Sequence, residues 1–371
     1  MAPPSQVPVM RPLLPPASEL LPFLEEIDAA RWYSNMGPLV HRLEARLAEH
    51  FDVDVSRVVT SANGTLAMVQ VLQAMQVKAG SLCVMPSWTF VATAAAAHAA
   101  GLKPFFVDID PLTWAIDPAD VSALMAQGHD VGAVIPVAPF GAPIALQAWE
   151  DFHTRTAVPV LVDAAAGFDS FASVKTSLPY MVSMHATKVF GVGEGAVVVS
   201  PDAELARAIR RTGNFGFDGS RDAQVPGFNA KLSEYAAAVG LAGFQRWADT
   251  RASWADLAAR FHEKTLATNR VRLAPDFGNG WLSSYGIVEL DPAHNAVRVC
   301  EAFARRGVET RLWWGKGCHA HPAYEGCGRT ALPYTDDLAN RVVGLPFWVG
   351  LDAASLDYVF DCLGEILARG E

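Results

Sequence analysis

Between Ser56 and about residue 200 the chain alternates short, continuously apolar runs with longer amphipathic stretches. The runs "SRVVTS" (56–61), "SLCVMP" (81–86), "KPFFVDI" (103–109), "VGAVIPV" (131–137) and "VPVLVDA" (158–164) predict strands. The stretches "GTLAMVQVLQAM" (64–75), "TFVATAAAAHAA" (89–100), 118–127 and 146–154 between them predict helices. Strands with no polar alternation are buried on both faces, and strand–helix alternation implies a mostly parallel sheet covered by helices on both sides. Upstream, the first fifteen or so residues are proline-rich and predict an extended arm. A helix is expected from Ser18, with Leu20, Leu21, Leu24 and Ile27 on one face. Gly37 and Pro38 then open another, with Leu39, Leu43 and Leu47 recurring at four. The rhythm ends in a long helical region, 232–268. Beyond it, strand-like "GWLSSYGIVEL" (280–290), a helix over 295–306, "GVETRLWW" (307–314) and a closing helix from Ala354 predict a smaller α+β domain. The expected boundary lies near residue 250, dividing the chain into 1–250 and 251–371.

At 371 residues the chain exceeds the size at which one core stops growing, which fits two domains. Half the residues are hydrophobic and 18% are charged, so the chain can bury a large core. A net charge of -10 without an Arg- or Lys-rich stripe excludes a general nucleic-acid binder. The five cysteines have no close pairing, which suggests a reduced, cytoplasmic protein. His319 and His321 stand near Cys318 and Cys327 at spacings too irregular for a metal site. The start lacks the charged and apolar regions of a signal peptide, and the most apolar helix, Phe90 to Ala100, is too short to cross a bilayer.

In open α/β sheets, ligands bind beyond the carboxyl ends of the strands. After the first strand, Gly64 and Thr65 open a helix, whose free amides suit a phosphate or simply need an N-cap. After the second, "PSWTFVAT" brings aromatics to the same edge, for stacking on a flat ring or for core packing. Asp163 ends a buried strand, where it either caps the next segment or faces a cationic atom. Lys188, in "VSMHATKVFGVGEGA" (182–196), is either a surface lysine or a desolvated amine suited to a Schiff base. Jointly these meet the needs of a phosphorylated pyridine cofactor: an anion cradle, a stacking ring, a carboxylate for the ring nitrogen and a lysine for the aldehyde.

The segments "NMGP" (35–38), "SANGT" (61–65), "PSWTFVATA" (86–94), "KPFFVDIDPLTWAID" (103–117), "VDAAAGFD" (162–169), "SMHATKVFGVGEGA" (183–196), "GFNAKLSEYAAAVG" (227–240) and "LPFWVGL" (345–351) resemble, in order, those of the DegT/StrS sugar aminotransferases. The resemblance runs from about residue 10 to residue 365. It implies the type I fold of pyridoxal-phosphate enzymes and a cofactor held covalently by Lys188. It also implies that Asp163 pairs with the pyridinium, that Phe90 (with Trp88 as a second candidate) stacks on the ring, and that Gly64, Thr65 and Ser183 hold the phosphate. Asn229 is similar to an asparagine that reaches the neighbouring subunit's phosphate, which implies a homodimer with shared active sites. "GVGEG" (191–195) would be the turn that lets backbone approach the cofactor loop. The chain departs from the pattern at Ala166, where Gln or His is usual, at Asn63 and at Ala196.

The implied reaction moves an amino group from an amino acid, glutamate by likeness, to a nucleotide-linked keto-deoxysugar, for amino-sugar synthesis in a glycan such as O-antigen or in a natural product. Tyr33, Asn35, Arg311, Trp313, Trp314, Lys316 and His319 offer cationic and aromatic groups for the substrate side, with domain-interface packing as the alternative for the tryptophans. His185 reads as a satisfied loop histidine. One rival is another pyridoxal-phosphate enzyme, a lyase or desulfurase. The other is a sensor or structural protein that keeps the fold without turnover, a reading that intact Lys188 and Asp163 disfavour. Lys188 also argues against the dehydrating branch of the family, which lacks it.

Overall fold

The computed structural model describes residues 6–370, so the first five residues of the expected arm lie outside it, as does residue 371. Helices α1 (Ala17–Ala30) and α2 (Pro38–Phe51) precede an alternating unit. That unit contains β1 (Val58–Ser61), α3 (Gly64–Ala74), β2 (Leu82–Pro86), α4 (Ala92–Ala99), β3 (Lys103–Val107), α5 (Pro118–Ala126), β4 (Val131–Val134), α6 (Leu146–Thr156), β5 (Val162–Asp163), β6 (Tyr180–Ser183) and β7 (Ala196–Val199). Then come α7 (Ala203–Thr212), α8 (Glu234–Gln245), α9 (Trp247–Ala267), β8 (Val271–Arg272), β9 (Gly286–Leu290), α10 (Ala296–Arg305), β10 (Gly328–Arg329), α11 (Pro333–Ala339), β11 (Val342–Leu345) and α12 (Ala353–Arg369).

Two hydrogen-bonded groups, β1-β7-β6-β5 and β10-β3-β2-β4, join through parallel bridges Val134–Val160 and Val137–Asp163. The resulting sheet is parallel except for β7, which runs antiparallel to both neighbours. Successive side chains of a strand point to opposite faces. Here Val58, Val84, Val134, Val162 and Val182 join one apolar cluster with α2, α6 and α8. Their neighbours Val59, Cys83, Ala133, Leu161 and Met181 join another with α3 and α4. Continuous apolar runs are needed because both faces are buried.

Several expectations are refined. Leu21 is exposed, and α1 instead buries Phe23 and Ile27. The long helical region is two helices broken at Arg246, whose backbone (φ -117, ψ 7) leaves the helical range. "GWLSSYGIVEL" becomes a strand only from Gly286, and "GVETRLWW" contributes bridges at Val308 and Arg311 rather than a strand. The segment β11-β9-β8 forms a separate antiparallel sheet. The arm from residue 6 is extended along this part: Val7 bridges Val308, and Phe347 N–H donates to Val9 carbonyl.

One buried ion pair ties α2, β1 and α7 together. Glu44 accepts from Arg210 (2.9 and 3.1 Å), Thr60 N–H and Thr60 Oγ1, while Arg210 also donates to Val58 carbonyl. Removing one partner strands a buried charge. Arg210→Met is expected to cost on the order of 3 kcal/mol. The double variant Glu44→Gln/Arg210→Met should cost less than this single one, as read from urea denaturation midpoints.

Candidate active site

The parallel strands deliver their carboxyl ends to one edge of the sheet. At the end of β1, Asn63 caps α3 by accepting the Leu66 amide (2.9 Å). Neither the Gly64 nor the Thr65 amide has a protein partner among the described residues. A Cβ at Gly64 would lie 3.2 Å from Met181 Sδ and 3.7 Å from Ser183 Cβ, so the α3 N-terminus abuts the end of β6. The pair Gly64 and Ser183 is thus brought together by the side-by-side packing of α3 on β6.

Beyond β2, Phe90 is 59% exposed and has no ring partner among the described residues, whereas Trp88 is buried with its edge against Trp314. Of the two candidate stacking rings, Phe90 alone presents a free face. Thr93, just inside α4, donates to Asp163 Oδ2 (2.8 Å) and Ala165 N–H donates to Oδ1 (3.1 Å). Burial pushes the Asp163 carboxyl above the usual range, against the pull of these two hydrogen bonds and of the Lys188 charge.

β6 and β7 form a hairpin whose tip carries Lys188. Ala186 N–H donates to Gly193 carbonyl, Met184 N–H to Gly195 carbonyl and Val192 N–H to Met184 carbonyl. Gly193 has φ +92, and a Cβ at Gly191 would lie 3.0 Å from Ala186 Cα, so this close return requires glycine. His185 is tied within the hairpin to Thr187 (2.8 Å) and lies 3.6 Å from Glu194, as a satisfied loop histidine should. Lys188 Nζ donates to the Tyr285 hydroxyl at 2.8 Å.

Ala166 is buried against Gly141, whose backbone has φ +97 and no room for a Cβ beside Ala166 carbonyl. Trp314 stacks flat on Phe140 (3.9 Å, 8°) and Trp313 meets Tyr285 edge-on (4.9 Å). Arg311 lies over Trp313, 5.0 Å from the ring, and has no carboxylate partner among the described residues. His319 is engaged on both sides, with Ser87 Oγ at 2.7 Å and Asp336 at 3.3 Å, and Lys316 is exposed. Tyr33 and Asn35 lie on the loop before α2, where Tyr33 stacks on Tyr235 (6.3 Å) and Asn35 has φ 63. Asn229 is exposed, and the next carbonyl, of Ala230, accepts from Ala62 N–H. Thus Gly64 and Ser183 meet and Lys188 lies within electrostatic reach of Asp163, while Tyr33, Asn35 and Asn229 sit on exposed loops.

Three neighbours were not legible in sequence. Thr93 lies four residues after Thr89, the spacing of one helical turn, and that was its only signal. Cys318 donates to Thr89 carbonyl, and burial, then the Asp163 charge, push its thiol up to about 12, so it packs as a neutral group. Tyr285 comes from a remote segment and had no signal at all.

A buried carboxylate within electrostatic reach of an amine, with a free aromatic face and open helix amides after strands of the same sheet, is the donor set that a pyridoxal phosphate requires. Fold and site define a pyridoxal-phosphate-dependent aminotransferase. The sequence profile of the DegT/DnrJ/EryC1/StrS aminotransferase family matches residues 17–364, and the chain belongs to that family. It is similar to a putative PLP-dependent aminotransferase structure from Bacillus cereus ATCC 10987 (31% identity, TM-score 0.90, 97% of this chain and 100% of that one). It is also similar to DesI, solved in the presence of its TDP-sugar product (31%, TM-score 0.89, 99% and 94%). A dTDP-4-amino-4,6-dideoxy-D-glucose transaminase from Shigella dysenteriae is 29% identical, over 96% of this chain and 98% of that one.

The raised Asp163 pKa makes a stability prediction. A carboxyl whose folded pKa exceeds its unfolded value, about 3.9, binds more protons when folded. Its stability contribution is full below that value and is lost as pH rises through the folded pKa. In cofactor-free protein, Asp163→Asn is therefore expected to stabilise at pH 8 on the order of 1 kcal/mol. The gain should shrink toward pH 4, as urea titrations at several pH values would show.

Proposed function

We propose that this aminotransferase moves an amino group from an amino acid, with glutamate as the first donor to test, onto a keto-deoxysugar carried by a nucleoside diphosphate. The observation that carries the chemistry is the buried, hydrogen-bonded Asp163 within electrostatic reach of Lys188. Gly64, Thr65 and Ser183 would hold the cofactor's phosphate, Phe90 its ring face, Asp163 its ring nitrogen and Lys188 its aldehyde. When bound, pyridoxal phosphate supplies an electron sink for breaking the donor's Cα–H bond. Asp163, kept dry and held by Thr93 and Ala165, favours a proton on the ring nitrogen by ion pairing. Lys188, once free as an amine, takes the Cα proton and returns it, acting as base and then acid.

The sugar-nucleotide side rests on Arg311 and Lys316 as exposed cations and on Trp313 and Trp314 as ring surfaces, together with the likeness to DesI and to the Shigella transaminase. Tyr33 and Asn35 complete this set from the loop before α2, and His319 would act through the loop it holds rather than by contact. We take 1–250 as the cofactor domain and 251–371 as the smaller one, which brings Tyr285 and Arg311 to the site. We also read the protein as a cytoplasmic homodimer. Its cysteines are unpaired, and among the described residues no helix is long and apolar enough to cross a membrane. Exposed Trp32, Tyr33, Tyr235 and Phe215 are surfaces that a second copy would cover. Asn229, whose side-chain oxygen among the described residues accepts a hydrogen bond only from the Lys231 amide (3.4 Å), would then reach the partner's phosphate.

Purified protein supplied with pyridoxal phosphate should turn yellow, and borohydride should remove the colour and leave the cofactor's mass on Lys188 by peptide mapping. A colourless protein, or label on another lysine, would sink the reading. For the shared site, mixing Lys188→Ala with Asn229→Ala subunits should restore up to about a quarter of wild-type activity, one intact site per heterodimer. No recovery in verified heterodimers would return Asn229 to its own chain's site.

A further inference from the structure

Among the described residues, the side chain of Lys188 has one hydrogen-bond partner, and it comes from 97 residues away. Nζ donates to the Tyr285 hydroxyl at 2.8 Å and lies 5.0 Å from the centroid of its ring. The ring is wedged rather than free to swing. Trp313 meets it at 4.9 Å and 82°, and Phe140 at 5.7 Å and 64°. Phe140 is itself clamped flat on Trp314, and its carbonyl accepts from the buried Ser283 hydroxyl at 2.6 Å, two residues before Tyr285. On the other side, a Cβ at Gly286 would lie 2.8 Å from Phe261 Cε2 and 2.8 Å from Phe347 Cβ. Backbone and ring are therefore both fixed by packing, and the hydroxyl is delivered to the nitrogen rather than finding it by chance.

That nitrogen is the reacting atom of the transamination reading, on which this inference rests. It must be a neutral amine when it removes a proton and an ammonium when it delivers one. A tyrosine hydroxyl can serve both states, because it accepts from an ammonium and donates to an amine lone pair. A lysine side chain otherwise has four rotatable carbons over which to lose its aim.

We propose that Tyr285 is a catalytic residue of the amino-transfer reaction: it holds Nζ of Lys188 through both protonation states and so fixes the path of the proton that the amine carries. Neutral Nζ would take the proton from the donor Cα, the electron pair of the broken bond going to the electron sink that pyridoxal phosphate would supply, and the new ammonium would donate to Tyr285 Oη. When Nζ gives that proton up, the Tyr285 hydroxyl rotates and donates to the amine lone pair. Tyr285 gains and loses no proton over the cycle.

The test is Tyr285→Phe in the full chain. The hydroxyl contacts only Lys188 among the described residues, so the ring packing survives its removal. In cofactor-free protein, Lys188 should acylate about threefold faster or more than in wild type, which corresponds to the loss of one hydrogen bond. The rate is read by mass mapping after acetic anhydride pulses, with exposed Lys78 as the internal reference. In loaded protein at saturating pyridoxal phosphate, the half-reaction with glutamate should slow about 10- to 100-fold. It should also become sensitive to deuterium at the glutamate Cα. A merely structural tyrosine would weaken cofactor retention and move neither readout. Wild-type acylation together with a wild-type half-reaction rate would overturn the role. Borohydride trapping on Lys188 is run on both proteins. Trapping in both, with the two readouts unchanged, removes Tyr285 alone. A wild-type protein that neither traps the cofactor nor reacts with glutamate removes the transamination reading and this inference with it.

Discussion

The site depends on keeping a carboxylate out of water. Asp163 ends a two-residue strand ladder in the middle of the sheet, where both neighbouring strands are parallel and buried. An unpaired carboxylate there would cost several kcal/mol. The fold answers with a hydroxyl from Thr93, an amide from Ala165 and the charge of Lys188, and the carboxyl still titrates above its usual range. A carboxylate so placed is poorly solvated and strongly biased toward a cationic partner, which is the property a pyridinium nitrogen needs.

The antiparallel β7 follows from the same requirement. Lys188 must approach Asp163 from the strand next door. A helical crossover after β6 would carry the chain away over one face of the sheet. A hairpin instead returns at once and leaves its tip at the edge where the other strands end. Three glycines permit that return, since Gly193 takes a positive φ and Gly191 and Gly195 sit where a Cβ would collide. The departure from a wholly parallel sheet is therefore confined to β7.

The remaining wall comes from the later part of the chain. Cys318 N–H bonds Ser87 carbonyl, His319 holds the Ser87 hydroxyl, and Asp108 at the end of β3 accepts from the amides of Tyr334 and Thr335. These contacts seat the loop that carries Trp313 and Trp314 over the strand ends. The arm at residues 7–9 holds the opposite side of that unit through Val308 and Phe347. His319, read from sequence as a substrate group, is thereby occupied in holding a loop.

Local pattern was enough for most of the architecture. Continuous apolar runs located β1 to β5, because burial on both faces leaves no room for polar alternation. Positions 63–65, 88–90, 163 and 188 stood out because each follows such a run, and strand ends in a parallel sheet share one edge. By contrast, only Gly286–Leu290 of "GWLSSYGIVEL" pairs in a ladder, and "GVETRLWW" makes isolated bridges at Val308 and Arg311 rather than a strand. The single break at Arg246 had no glycine or proline to mark it. By itself the sequence determined the alternating sheet and pointed to its strand-end edge, with Asp163 and Lys188 among the residues there. Only the tertiary structure decided which hydroxyls serve that pair, Thr93 for Asp163 and Tyr285 for Lys188. The reason is physical: periodicity records which face of an element is buried, whereas a contact across 70 or 97 residues depends on how separate elements pack, and it leaves no trace in the local pattern.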